Sequence, residues 1–340
     1  MRSFAIAALW GVVAFLTPLG SKAEEAGKGF EWQAQESDHI DLLYDGRPAV
    51  RYMMPTLDES SPEQRMATMK PFHHVFSPDG TTLLTKGDAD GLYPHHKGLF
   101  YGFNKITYGD GKTCDTWHCT GKAYESHEKE LEHQAAGSTA DHRVAIDWHG
   151  QDGEVFAHEK RGIRAQRETH DGAEGWLIYF TSHLETADGQ VIHLDGDPQH
   201  AGFHFRASQE VPDKSAQETY YLRTSGAGKP GDYRNWEPAK DDAPDNQENV
   251  NRPWNAMSIV VGGKRYTVVY LDHPDNPKPA RYSERDYGRF GSYFVADVTE
   301  EDPLDVLYGL WVQDGEMTVE QCEAMSKEFT KFPIFKELLQ

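Results

Sequence analysis

Apolar residues along this chain recur mostly at every second position, the spacing that puts alternate side chains on one face of a strand. Alternating or β-branched and aromatic-rich stretches occur at Arg143 to Trp148, Gly175 to Thr186, Gly202 to Arg206 and Thr219 to Arg223. Met257 to Val261 and Tyr266 to Leu271 flank Gly262-Gly263-Lys264-Arg265, which predicts a hairpin. Further strands are expected at Gly291 to Val298 and Val306 to Val312. Helical spacing is clearest near the C-terminus, where Val319, Cys322, Met325 and Phe329 share a face and Thr318 with Gln321 forms a capping box ahead of them. Ser61-Pro62-Glu63 predicts a short helix running to about Met69, because proline fits the first helical position. Many strands with few helices predict an all-β fold, a large β-sandwich or barrel with a short C-terminal helix. Pro230 to Pro253, rich in Asp, Asn, Pro and Gly, reads as a long surface loop.

A different pattern precedes all of this. Arg2, a thirteen-residue apolar run from Phe4 to Leu16, and the small residues of Ser21-Lys22-Ala23 have the layout of an export signal. The run falls short of the roughly 20 apolar residues that span a bilayer. Residues 1–23 are therefore expected to be a leader, and residues 24–340 one sandwich domain, periplasmic or extracellular, without membrane insertion once the leader is cleaved. Charge narrows the partners. Lys and Arg number 34 against 55 Asp and Glu, a formal net charge of −21, and no basic cluster reverses it locally. Such a surface repels nucleic-acid phosphates, so no nucleic acid is expected as a partner. Dinucleotide fingerprints, P-loops and GxSxG elbows do not occur. The three cysteines, Cys114, Cys119 and Cys322, allow one disulfide at most. A tight Cys114–Cys119 loop, a link from either to Cys322, or three buried thiols all remain open.

The chain has 17 histidines, and they cluster: His73-His74, His95-His96, His118, His193, His200 and His204. Imidazole serves as general base, metal ligand or hydroxyl partner. Within a strand His204 and Arg206 share a face, as do His193 and Asp195, which suits a site on one concave sheet face. Trp117, Trp236, Trp254, Tyr287 and Tyr293 supply rings of the kind that stack on sugars. Arg206, Arg285 and Arg289 supply forks for carboxylates or developing negative charge. In Arg285-Asp286-Tyr287-Gly288-Arg289 a phenol sits between two cations.

Five ordered motifs carry a resemblance to a known family: His95-His96-Lys97-Gly98-Leu99-Phe100, Asp115-Thr116-Trp117, Gly202-Phe203-His204-Phe205-Arg206, Leu271-Asp272-His273-Pro274-Asp275-Asn276-Pro277 and Tyr287-Gly288-Arg289-Phe290. Over residues 45–330 the chain resembles a bacterial family labelled "methane oxygenase PmoA", a secreted domain of unknown function distinct from the membrane monooxygenase subunit. Two departures are visible: Lys97 stands where the family usually has Arg, and Ala201-Gly202 where it has two glycines. The resemblance implies a galactose-mutarotase-like supersandwich and a sugar or glycan fragment as partner. The reading that follows is a carbohydrate-active enzyme, a lyase, epimerase or hydrolase working by acid/base chemistry. In it His96, His118, His204 and Tyr287 move protons, and Trp117, Arg206, Arg285 and Arg289 bind substrate. It assigns no metal, and the sequence names no cofactor. One alternative is a glycan-binding module without turnover. The other is a metal-dependent oxidoreductase with His95, His96, His118 and Asp115 as ligands.

Overall fold

The computed structural model describes residues 29–331, apart from 37, 88, 241 and 242. The expected leader over residues 1–23 lies outside the described residues. Three antiparallel sheets make up the fold. The eight-stranded sheet runs, edge to edge, through Phe30–Glu36, His39–Tyr44, Arg47–Met53, Phe72–Val75, Leu99–Phe103, Ala201–Arg206, Arg289–Tyr293 and Arg281–Arg285. The nine-stranded sheet runs through Gly226–Ala227, Tyr220–Arg223, Trp254–Val261, Lys264–Asp272, Leu304–Asp314, Ala173–Thr186, Val155–His170, Thr139–His149 and Tyr124–Ala136. A four-stranded sheet of Ala296–Val298, Ile192–Asp195, Lys105–Tyr108 and Lys112–Cys114 completes the set. The β-sandwich expected from the period-two pattern is what forms. In the predicted hairpin the turn is Gly262-Gly263, both at positive φ, with Val261 paired to Lys264. That is the conformation two consecutive glycines adopt without steric cost.

One core lies between the two large sheets. Phe203 stacks on Phe180 at 4.2 Å and on Tyr308 at 5.0 Å, and Tyr101 meets Phe180 at 5.9 Å. Residues of the small sheet, Ile106, Ile192, Leu194 and Val298, join the same cluster. The helix Val319–Phe329 has the expected capping box, with Thr318 accepting from the Gln321 amide and Gln321 from that of Thr318. Its Cys322, Met325 and Phe329 cover the other face of the nine-stranded sheet against Trp254, Leu271 and Trp311. Among the described residues, no helix is long and apolar enough to cross a membrane. The segment read as a surface loop is better packed than its composition suggests. It holds the short helices Pro238–Lys240 and Pro244–Gln247, and Trp236, Asn246, Asn249 and Arg252 are buried.

The interior also contains ions. Arg161 donates to Glu159 at 2.7 Å and to Glu125 at 3.1 Å, and all three are buried. Burial pushes the Glu125 carboxyl up to about 7, although Arg161 and Lys70 draw it back. Its pKa in the fold thus exceeds that of the unfolded chain, and folding holds a proton that unfolding releases. The contribution to stability is complete below pH ~4.5 and falls as pH rises through 7, by up to ~3 kcal/mol at 1.36 kcal/mol per unit. Urea midpoints for wild type and Glu125→Gln between pH 5 and 7.5 check this. Wild type should lose ground to the variant as pH rises, and parallel curves would refute the assignment.

Candidate functional site

Strand Ala201–Arg206 sends Phe203 and Phe205 into the interlayer core, which turns His204 and Arg206 to the opposite face of the eight-stranded sheet. In the neighbouring strand Arg289 pairs with Arg206, and Gly291 with His204. A side chain at 291 would bring its Cβ to 2.6 Å from the His204 ring and 2.2 Å from the Phe203 carbonyl, so glycine makes the room that this imidazole occupies. His204 Nε2–H donates to the Ala201 carbonyl at 2.9 Å, which leaves Nδ1 to accept from Arg289 at 2.9 Å. Arg289 also donates to the Tyr287 hydroxyl at 3.2 Å and to Ser283 at 2.9 Å. Arg206 donates to the Tyr287 carbonyl at 2.7 Å and lies 5.0 Å from its ring. The two arginines are wholly buried and fix Tyr287 from below.

Three loops lie over this platform. The first brings Tyr93, His95 and His96 ahead of strand Leu99–Phe103. Its path is set by Gly98 N–H donating to the Lys86 carbonyl at 2.6 Å and by Lys97 donating to the Gly87 carbonyl at 3.0 Å. The second is Asp115 to His118. Asp115 accepts from both the backbone N–H and the ring Nδ1 of His118, each at 2.7 Å, while buried Lys70 donates to the carbonyls of Thr116 and Trp117 at 2.7 and 2.6 Å. The third is Asp197 to His200, where Asp197 takes the ring Nδ1 at 3.0 Å and also accepts from Asn104 and the Gln199 amide at 2.9 Å each. The rings converge. His118 lies 4.8 Å from His200 and 4.5 Å from His95, and His95 lies 4.3 Å from His96. His96 stacks on Tyr287 at 6.3 Å, and Tyr93 reaches Tyr287 at 5.0 Å. The side chains of His118 and His200 are 28% and 30% exposed, and Tyr93 is 43% exposed at the rim.

Burial, aided by nearby His118, Lys70 and His200, pushes His95 down to about 3. Burial, with Arg289 behind it, holds His96 well below the usual histidine range. Both rings are therefore neutral. Burial pushes the Asp197 carboxyl upward, but the bonds from His200, Gln199 and Asn104 prevail and hold it well below the usual carboxylate range. His96 is 1% exposed with neither ring nitrogen bonded, and His95 Nε2 and Trp117 Nε1 are likewise buried without partners. An orphaned buried polar group costs about 1–3 kcal/mol, so packing alone does not account for a ring with both nitrogens unpaired.

Most of the residues singled out in the sequence come together here, in distinct roles. His96, His118 and Tyr287 line the cluster. His204, Arg206 and Arg289 lie buried beneath it: Arg289 donates to His204 and the Tyr287 hydroxyl, and Arg206 to the carbonyls of Ala207 and Tyr287, so the two arginines support Tyr287. Trp117 is wholly buried against Phe100 at 4.4 Å and His204 at 4.8 Å, and it offers no open face for stacking. Arg285 lies over the Tyr233 ring at 5.2 Å. His193 does not join the cluster, because it sits on the small sheet and bonds Asp297 at 2.6 Å. Cys114, Cys119 and Cys322 are all free thiols, and burial pushes Cys119 and Cys322 up to about 12. Asp197, His200 and Tyr93 stand outside the expected acid/base and binding set. A signal for two of them is present in the sequence: Asp115 to His118 and Asp197 to His200 share the spacing Asp-X-X-His. A hollow of about 250 Å³ lined by Glu132, Asp141, Arg143 and Arg164 lies on the nine-stranded sheet. Its walls are ion pairs, Arg143 with Glu132 and Arg164 with Asp141, so this hollow and the reactive groups do not coincide.

Similarity to known proteins is of two kinds. The model of a family of unknown function, DUF6807, matches residues 39–327. No curated protein matches the sequence. Among solved structures, a glycoside hydrolase family 97 enzyme from Pseudoalteromonas sp. strain K8 aligns at TM-score 0.38 and 8% identity, over 79% of this chain and 34% of that one. This chain thus spans about a third of the length of that enzyme. A galactose mutarotase related enzyme from Lactobacillus acidophilus aligns at TM-score 0.32 and 11% identity, over 72% of this chain and 95% of that one.

Proposed function

The chain belongs to DUF6807, a family of unknown function, and from its site we propose that it is an exported carbohydrate-active enzyme that moves protons on a sugar or glycan fragment, as a lyase, epimerase or hydrolase. The observation that carries this reading is the pair of Asp–His dyads whose partly exposed rings stand 4.8 Å apart. In each dyad the carboxylate accepts the hydrogen bond of Nδ1–H, which fixes the tautomer and leaves Nε2 as the proton acceptor. Two such groups side by side give one base and one conjugate acid, the pair that elimination, epimerisation and glycoside hydrolysis all require. Tyr287 receives a hydrogen bond from the Arg289 guanidinium. Its own O–H is thereby free to donate to a developing oxyanion, with the cation behind it. Tyr93 presents an exposed ring beside Tyr287, which suits stacking on a sugar face.

Incubation with a panel of uronate-containing and neutral oligosaccharides, read by mass spectrometry and by NMR for isomerisation without mass change, tests the proposal. Conversion supports it. Ligand retained without conversion overturns the enzyme in favour of a binding module, and neither conversion nor binding overturns the sugar assignment. Tyr93→Ala is expected to weaken ligand affinity about threefold to tenfold, the size of one aromatic contact of ~0.5–1.5 kcal/mol, with turnover at saturation nearly unchanged. An unchanged affinity would remove Tyr93 from the site.

A further inference from the structure

We propose that His95, His96 and His200 form a three-imidazole site for a divalent first-row transition ion, with the fourth position open to water or a substrate oxygen. One ring nitrogen from each of the three lies within 4.8 Å of the other two. An ion about 2.0–2.1 Å from each nitrogen separates tetrahedral ligand atoms by about 3.3 Å, so ring shifts of about 1 Å close the site. Each of the three rings has a nitrogen available for the ion. His96 has two buried, unbonded ring nitrogens, and His95 Nε2 is buried and unbonded. His200 commits Nδ1 to Asp197, which leaves Nε2 for the ion and places a carboxylate behind the ligand, the usual arrangement at histidine-ligated metals. Asp197 is held in turn by Asn104. A donor set made only of imidazole selects against magnesium and calcium, which take oxygen, and favours zinc and its neighbours. Three protein ligands with one open position is the pattern of catalytic rather than structural zinc.

His118 stands next to this set, its ring 4.5 Å from His95, with its own Asp115. A bound ion would hold a water or sugar hydroxyl within reach of that dyad and make it more acidic. The inference rests on the pocket of the sugar reading but not on its substrate, and it moves His200 Nε2 from proton acceptor to ligand, which leaves His118 and an ion-bound water as the proton-transfer pair; metal binding is measured with no sugar present, so the two fail separately.

The test uses the untagged protein, stripped with chelator and titrated with Zn²⁺ by calorimetry and elemental analysis. One equivalent is expected. His96→Ala and His200→Ala should each weaken binding at least 100-fold, Asp197→Asn about 10- to 100-fold, and His193→Ala, remote on the small sheet, not at all. No stoichiometric uptake by wild type, or uptake that survives both His96→Ala and His200→Ala, overturns the proposal. X-ray absorption at the zinc edge of the wild-type protein needs no folded variant. Three imidazoles at about 2.0–2.1 Å support the site, and an all-oxygen shell refutes it.

Discussion

Replacing His118 with asparagine is expected to lower turnover by about 10²–10⁴-fold while leaving substrate affinity within a few-fold of wild type. The side chain is partly exposed, so its loss opens no hole in the core. Asp115 keeps its bond to the backbone N–H of residue 118, so the loop retains its shape. What disappears is the ring nitrogen that faces the cluster. A base acts in the transition state, which places the loss in kcat and spares KM when chemistry limits the rate. Asp115→Asn should be nearly as damaging, because an amide N–H opposite Nδ1 favours the other tautomer and turns a proton toward the substrate. The measurement is the kcat and KM of each variant on whichever oligosaccharide the panel shows to be converted. If affinity collapses and turnover stands, His118 is a binding group and the proton-transfer reading fails.

The second large effect concerns stability. Glu284 is buried and accepts hydrogen bonds from Arg223 Nε at 2.8 Å, Arg252 Nη1 at 2.8 Å, Asn255 Nδ2 at 3.0 Å and the Arg234 backbone at 2.9 Å. Glu284→Ala leaves two guanidinium groups buried without a counter-charge, and removing one member of such a set costs about 3–5 kcal/mol. For a chain of this size that is a fall of roughly 4–8 °C in Tm. Thermal and urea unfolding measure it, and hydrogen exchange over residues 230–253 should show that segment losing protection first. An unchanged midpoint would mean that the charges rearrange with no net loss. Burial opposes ionisation of Glu284, but Arg223 and Arg252 prevail and hold its carboxyl below the usual range. Its contribution is therefore complete above the ordinary glutamate pKa and lost as pH falls through the folded value.

The strands were legible because burial on one face leaves a period of two in the sequence. At Gly202 to Arg206 that period also separated the core residues Phe203 and Phe205 from His204 and Arg206 on the far face. It could not show that loops would then cover that face. Arg206 and Arg289, expected at the substrate, are instead sealed under Tyr287. Trp117 fails as a sugar platform for a related reason: its neighbours in sequence are polar, while its neighbours in space, Phe72 and Phe100, come from two strands. The Pro230 to Pro253 stretch has the composition of solvent-exposed chain, yet it is tied down by Glu284, a residue on a later strand that no local pattern connects to it. Asp197 carries no signal of its own and His200 stands only among the clustered histidines, because their significance depends on the loop after the small sheet returning beside His118, which is long-range information. The repeated Asp-X-X-His spacing was the local trace they left.

Each dyad is completed within four residues: the carboxylate is three positions upstream of its imidazole, and a bond from the histidine's backbone N–H closes the same turn, to the Asp115 side chain in one case and the Asp197 carbonyl in the other. Ring and carboxylate therefore travel together as a cassette. A loop can shift over the sheet to admit a ligand without unsettling the tautomer it carries.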